Sequence, residues 1–111
     1  MRAGVIHNYG NPDVFRIYEV AYPQLTARGV IVKVMASSVN PIDCVIRKGK
    51  LKNQTRMNFP MVLGYDLAGE IVNVGSEVKK YKVGDLVYCS LNSNSPGAYA
   101  QYVLALEDTI A

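Results

Sequence analysis

The run Val30-Ile31-Val32-Lys33-Val34-Met35-Ala36 constrains this chain more than any other stretch. Most of its residues branch at Cβ, which costs rotamer freedom in a helix and suits a pleated surface. Only Lys33 interrupts the apolar character, so the run reads as a central strand buried on both faces. Such a strand needs partners on both edges, and the remaining sequence offers them. Arg2 to His7 reads as a first strand, followed by a turn at Tyr9-Gly10-Asn11-Pro12-Asp13. Phe15 to Ala21 alternates as a second strand and is stopped by Pro23. Further strands are expected over Ala68 to Val74, Leu86 to Ser90 and Ala98 to Leu104. Gly69 and Gly75 are expected as bulge and turn glycines. One segment breaks the β pattern. Ile42, Val45 and Ile46 are spaced for one face of a helix over Pro41 to Lys48. Asn40 suits the cap, Pro41 the first turn and Gly49 the stop. Short strands with glycine-marked turns and a single short helix predict a mainly β, small, partly open barrel.

Composition narrows the function classes. The chain has 111 residues, half of them hydrophobic, which fits one globular domain over 1–111. The net charge of +3 is mild. The densest basic cluster, Lys48, Lys50, Lys52 and Arg56 with Arg47 beside it, reads as a solvated loop. No aromatic-rich basic motif accompanies it, so no nucleic-acid partner is expected. No apolar run approaches the roughly 20 residues that span a bilayer, so no membrane partner is expected either. The opening Met1-Arg2-Ala3-Gly4-Val5-Ile6-His7-Asn8 turns polar too early for a secretory signal, which makes the cytoplasm the expected location. Cys44 and Cys89 lie far apart and read as reduced core thiols.

The residues by themselves point to little chemistry. The one histidine, His7, falls in the first strand, where a structural role outweighs a catalytic one. Neither a closely spaced cysteine pair nor a histidine pair is present to build a zinc site of the usual spacing. No nucleophile–histidine–acid set is credible with one histidine so placed. Gly64, Gly69 and Gly75 are too widely spaced to cradle a pyrophosphate.

An ordered set of motifs says more. Val39-Asn40-Pro41-Ile42-Asp43 is followed by Gly64-Tyr65-Asp66-Leu67-Ala68-Gly69-Glu70-Ile71-Val72-Asn73-Val74-Gly75. Val83-Gly84-Asp85-Leu86-Val87-Tyr88 and Gly97-Ala98-Tyr99-Ala100-Gln101-Tyr102 complete it. Together these resemble the catalytic domain of the medium-chain dehydrogenase/reductase superfamily, in its zinc-free, quinone-oxidoreductase-like branch. The resemblance runs from about Met1 to Ala111.

The resemblance implies a GroES-like, partly open β-barrel packed in the family against a Rossmann domain that binds NAD(P)H. On it, this chain is the N-terminal, substrate-side part of an oxidoreductase whose Rossmann domain lies outside it. The implied activity of the full-length protein is zinc-free hydride transfer from NADPH to a quinone or an enone-type C=C, with a small-molecule substrate. The 111-residue chain alone is expected to be inactive, and its uncovered barrel is expected to self-associate. In the zinc-dependent branch, a cysteine and a histidine ligand match Asn40 and Tyr65 here. An amide and a phenol are poor zinc ligands, so no metal is expected. The resemblance makes Asn40 the catalytic candidate, its amide facing nicotinamide and substrate, and places Tyr65 and Asp43 in the same cleft. Asp43 is expected to brace the loop rather than transfer a proton. Asn40→Asp is expected to keep the helix cap, since both residues cap equally well. Val45 and Leu51 stand near places where family members often carry tyrosines, making this wall of the pocket more apolar. The competing class is a non-enzymatic GroES-like binding module or co-chaperonin-like subunit. That function needs a mobile loop with an exposed aliphatic tripeptide, and Tyr22 to Gly29 is short and lacks one.

Overall fold

A computed structural model describes residues 1–53 and 58–111. Strand β1 (Arg2–Ile6) leads through a 3-10 turn at Pro12–Val14 into β2 (Phe15–Glu19). Then come β3 (Gly29–Ser38), helix α1 (Pro41–Arg47), β4 (Met61–Val62), β5 (Asp66–Val74), β6 (Leu86–Ser90) and β7 (Tyr102–Leu106). The strands form two antiparallel sheets, ordered β2-β1-β4 and β6-β5-β3-β7. The result is the expected mainly β, partly open barrel, with one α-helix among the described residues.

The segment 97–101 joins the sheets. The Gly4 N–H donates to Tyr99 O at 2.6 Å and the Tyr99 N–H to Leu63 O at 2.9 Å. Two residues on, Gln101 O accepts the Val34 N–H from β3 at 2.9 Å. This explains why the last strand begins at Tyr102 and not at Ala98. The backbone of 98–101 is divided between the two sheets, and a regular ladder with β3 starts only at Lys33↔Tyr102.

Strand β3 also departs from expectation. Val30, Ile31 and Val32 are buried, but from Lys33 onward the strand is mostly open and Met35 is 71% exposed. The register against β5 shifts between Ile31 and Val32 and again between Val34 and Ala36. Bulges bend a strand and increase its twist, and here the bent half leaves the core. Gly69 pairs with Val34 beside the second shift. A Cβ at Gly69 would lie 2.1 Å from the Lys33 carbonyl oxygen, so the two strands approach here only because it has no side chain.

Two apolar clusters fill the interior. One gathers Val30, Val32, Leu67, Ile71, Val87, Cys89 and Val103 from the four-stranded sheet. The other gathers Ile6, Ile46, Met61, Leu63 and Tyr65, and packs α1 onto the smaller sheet. Arg47 is buried and donates to Gly10 O, so it does not belong to the solvated basic cluster. Arg56 of that cluster, and part of the loop from Lys50 to Asn58, lie outside the described residues. Among the described residues no helix is long and apolar enough to cross a membrane.

Both cysteines are free, but only Cys89 is a core residue. Cys44 sits on the exposed side of α1, a consequence of the narrow apolar stripe of so short a helix. Burial, with the Asp66 carboxylate second, pushes the Cys89 thiol up to about 11. Thiolate is the reactive form. A water-soluble disulfide reagent at neutral pH is therefore expected to modify Cys44 quickly and Cys89 only on unfolding. Mass spectrometry after brief labelling checks this, and equal labelling of both would contradict the packing.

Candidate functional site

The polar side chains singled out by sequence converge where β3 ends, α1 begins and β5 starts. Pro41 fixes the backbone angle of the first helical residue, and Asn40 before it is extended, at φ −125° and ψ 158°. Asp43 Oδ2 accepts the Asn40 backbone N–H at 2.9 Å, one arm of a capping box. It also accepts the Tyr99 hydroxyl at 2.7 Å. Asp43 is only 4% exposed, and its Oδ1 has no hydrogen-bond partner among the described residues.

Gly64 sets the other wall. Its φ of +98° turns the chain sharply into β5, and a Cβ there would meet the Tyr99 ring at 2.7 Å. The turn places Tyr65 and Asp66 on successive faces. Tyr65 packs its ring in the second apolar cluster and donates its hydroxyl to Ser93 O at 2.7 Å. Asp66 Oδ2 accepts from Asn40 Nδ2 at 2.7 Å and lies 3.5 Å from the Ser38 hydroxyl.

Asn40, Ile42, Tyr65, Asp66 and Ser90 share the lining of a cleft of about 290 Å³. Asp66 and Ser90 also border a neighbouring cleft of about 510 Å³ that runs past Ser38 and Tyr88. A larger hollow, about 750 Å³, is an open trough beside Phe15, Ile17, Met35 and Val39. The polar groups converge at the smaller clefts, which makes these the candidate site.

The electrostatics favour neutral phenols. Burial, then the Asp43 charge, raises the Tyr65 hydroxyl above its ordinary value. Tyr99 is raised further, by burial and by its bond to Asp43. Both stay protonated donors at neutral pH. Among the described residues no group of three or more His, Cys, Asp or Glu is placed to hold a metal ion.

The structure thus brings Asn40 and Tyr65 to one cleft and places Asp43 behind it, buried under Tyr99. His7 is exposed and meets the Tyr18 ring edge-on, at 4.8 Å. Sequence reasoning missed Asp66, Ser38 and Tyr99. Asp66 and Tyr99 stood inside motifs already singled out, but nothing in their spacing says that they meet Asn40 and Asp43.

Comparison with known proteins agrees with this architecture. Residues 26–111 match the family model of the alcohol dehydrogenase GroES-like domain. The chain is 37% identical over 111 residues to quinone oxidoreductase of Mus musculus, covering 99% of this chain and 32% of that protein. It is 36% identical over 118 residues to the chloroplastic NADPH-dependent alkenal/one oxidoreductase of Arabidopsis thaliana, covering 100% of this chain and 30% of that protein. The quinone oxidoreductase of Coxiella burnetii superposes with a TM-score of 0.90 at 36% identity, covering 100% of this chain and 36% of that one. Escherichia coli quinone oxidoreductase complexed with NADPH gives 0.89 at 29% identity, covering 100% and 32%. The chain spans about a third of the length of the curated relatives it matches.

Proposed function

The chain belongs to the alcohol dehydrogenase GroES-like domain family, in the quinone-oxidoreductase-like branch of the medium-chain dehydrogenase/reductase superfamily, and from this we propose that it forms the substrate-side wall of an NADPH-dependent reductase. The full-length protein delivers hydride to a quinone or to the C=C of an enone. The observation that carries this reading is the meeting of Asn40, Tyr65 and Asp66 at one small cleft in such a domain.

The nicotinamide supplies the hydride when bound, and the protein orients the reactants and stabilises developing charge. Asn40 binds at the nicotinamide and substrate junction, fixed from behind by Asp43. Tyr65 keeps its proton on Oη, where burial makes ionisation costly, and spends it on Ser93 O, which fixes the ring at the cleft and leaves the oxygen lone pairs free. Ile42 and Leu91 supply apolar lining beside these polar groups. Asp43 acts through the backbone and not on the substrate.

The residues fit only part of the dinucleotide. Helix α1 opens on Pro41, which has no N–H to offer a phosphate, and its cap N–H is already held by Asp43. The phosphates therefore belong to a part of the protein outside this chain. The 111-residue chain alone is expected to bind NADPH more weakly than micromolar. Calorimetric titration checks this, and micromolar or tighter affinity would sink it.

Zinc does not fit the same residues. The Asn40 amide nitrogen is committed to Asp66, and the Tyr65 phenol resists ionisation. Asp66 is then the one charged donor of the three, too few for a tetrahedral site. We read the chemistry as zinc-free and the protein as cytoplasmic, the latter supported by two free cysteines.

The deciding experiment follows NADPH absorbance with the full-length protein and three substrate classes. Quinones and enones are expected to be reduced, and saturated alcohols to be left unoxidised with NADP⁺. Zinc-dependent alcohol oxidation, or no NADPH consumption with any quinone or enone, would overturn the reading.

A further inference from the structure

We propose that Asp66 is a positioning residue that locks the Asn40 side-chain amide, so that Asn40 offers the cleft its carbonyl oxygen and selects a ligand group that donates an N–H. The identity of that ligand, a nicotinamide carboxamide, rests on the function proposed above. The orientation itself does not.

The two ends of a side-chain amide are chemical opposites, a double donor and an acceptor. Which end faces a ligand is set by what holds the other. Here Asp66 Oδ2 lies 2.7 Å from Asn40 Nδ2. Turning the amide over would put its oxygen against a carboxylate oxygen at that distance, which repels instead of bonding. A charge-assisted bond of this kind is about twice as strong as a neutral one. Ser38 Oγ flanks the pair, 3.5 Å from Asn40 Nδ2 and 3.5 Å from Asp66 Oδ2.

The lock is anchored on three elements. Ser38 closes β3, Asn40 caps α1 and Asp66 opens β5. Asp43, itself held by Tyr99, fixes the Asn40 backbone. The amide thus has little freedom to present its NH₂ to a bound molecule; its oxygen, set beside the Asp43 N–H by the capping box, keeps a lone pair for a ligand. On the facing wall the Tyr65 hydroxyl spends its proton on Ser93 O. Both walls of the cleft therefore offer lone pairs, the Asn40 oxygen on one and the Tyr65 hydroxyl oxygen on the other, and a ligand group that donates fits between them.

Two measurements test this. In amide NMR of the isotope-labelled protein, the Asn40 side-chain NH₂ pair is expected to show one strongly downfield proton. That proton should lose its shift in Asp66→Asn. An Asn40 pair that keeps its shift there overturns the proposal, and Asp66→Ser gives the same reading if the first variant does not fold. In the full-length protein, NADPH is compared with its acetylpyridine analogue, which replaces the carboxamide N–H donors by a methyl group. Unmodified protein is expected to bind NADPH about tenfold more tightly, the worth of one hydrogen bond. Asp66→Asn, whose amide can let Asn40 turn over, should bring the ratio toward one through Kd and not kcat. An unchanged ratio overturns the selection. If neither dinucleotide binds, the function proposed above fails, while the NMR result still decides the orientation.

Discussion

Replacing Asn40 with aspartate is expected to lower kcat/KM of the full-length protein by two to three orders of magnitude and to make its stability fall as pH rises. The helix cap alone predicts neither effect on stability, since aspartate caps as well as asparagine. The difference is Asp66, whose Oδ2 lies 2.7 Å from Asn40 Nδ2. A second carboxylate there cannot ionise beside the first at ordinary cost. One of the pair is forced to a pKa above its unfolded value of about 3.9. Its protonated form then carries the stability, which is fully present below the unfolded pKa and lost as pH rises through the raised one. The deficit at neutral pH should be about 1–3 kcal/mol for a shift of one to two units. In the cleft, the added negative charge opposes hydride delivery, which itself builds negative charge on the acceptor. No donor is lost, because the Asn40 NH₂ is held by Asp66; the added charge is expected to raise the barrier by about as much as one oxyanion hydrogen bond lowers it, about 2.7–4 kcal/mol. Asn40→Ser is the control, because serine caps without adding charge. It should lose activity and keep a flat stability-versus-pH profile in this range. Thermal melts of Asn40→Asp that match the unmodified protein from acid to neutral pH would show that the two side chains do not meet.

That comparison marks how far the sequence could be read. Periodicity found β1, β2, β5 and β6 and the helix, because each is a local pattern closed by local punctuation such as Pro41 or Gly75. It overextended the buried character of β3, since the bend after Val34 depends on the register against β5. It misplaced the start of β7 because residues 98–101 look like a strand yet divide their hydrogen bonds between two sheets. It passed over β4, two residues long, whose pairing with β1 leaves almost no periodic signal. The candidate site was legible to the same depth. Asn40 and Tyr65 stood out through their motifs, whereas Asp66, which orients the Asn40 amide, is 26 residues along the chain from it, and Tyr99, which holds Asp43, is 56 residues from Asp43. Such pairings come from topology and leave no mark on spacing.

The largest loss of stability is expected from Ile71→Ala. Ile71 is fully buried in the middle of β5, which pairs with β3 on one edge and β6 on the other. Its side chain belongs to the cluster formed with Val30, Val32, Leu67, Val87 and Val103, the core that holds the four-stranded sheet against its covering loops. Its backbone is fully engaged as well, the N–H donating to Asp85 O at 2.9 Å and the carbonyl accepting from Gly84 at 2.8 Å. The surrounding backbone is thus pinned by hydrogen bonds and cannot collapse into the space vacated. A buried Ile→Ala change costs about 2–5 kcal/mol, toward the upper end where the site cannot relax. A domain of this size holds about 5–15 kcal/mol in all. The loss corresponds to a fall in Tm of about 10–20 °C, and denaturant melts should show a lower midpoint at unchanged slope. Ile71→Val, which removes one methylene, should cost only about 0.5–1.5 kcal/mol. Because the cavity opens on the side of β5 away from the Asn40 capping box, the Asn40 amide resonances should keep their shifts in Ile71→Val. A loss below 1 kcal/mol for the alanine variant would mean that this core is looser than the burial of Ile71 requires.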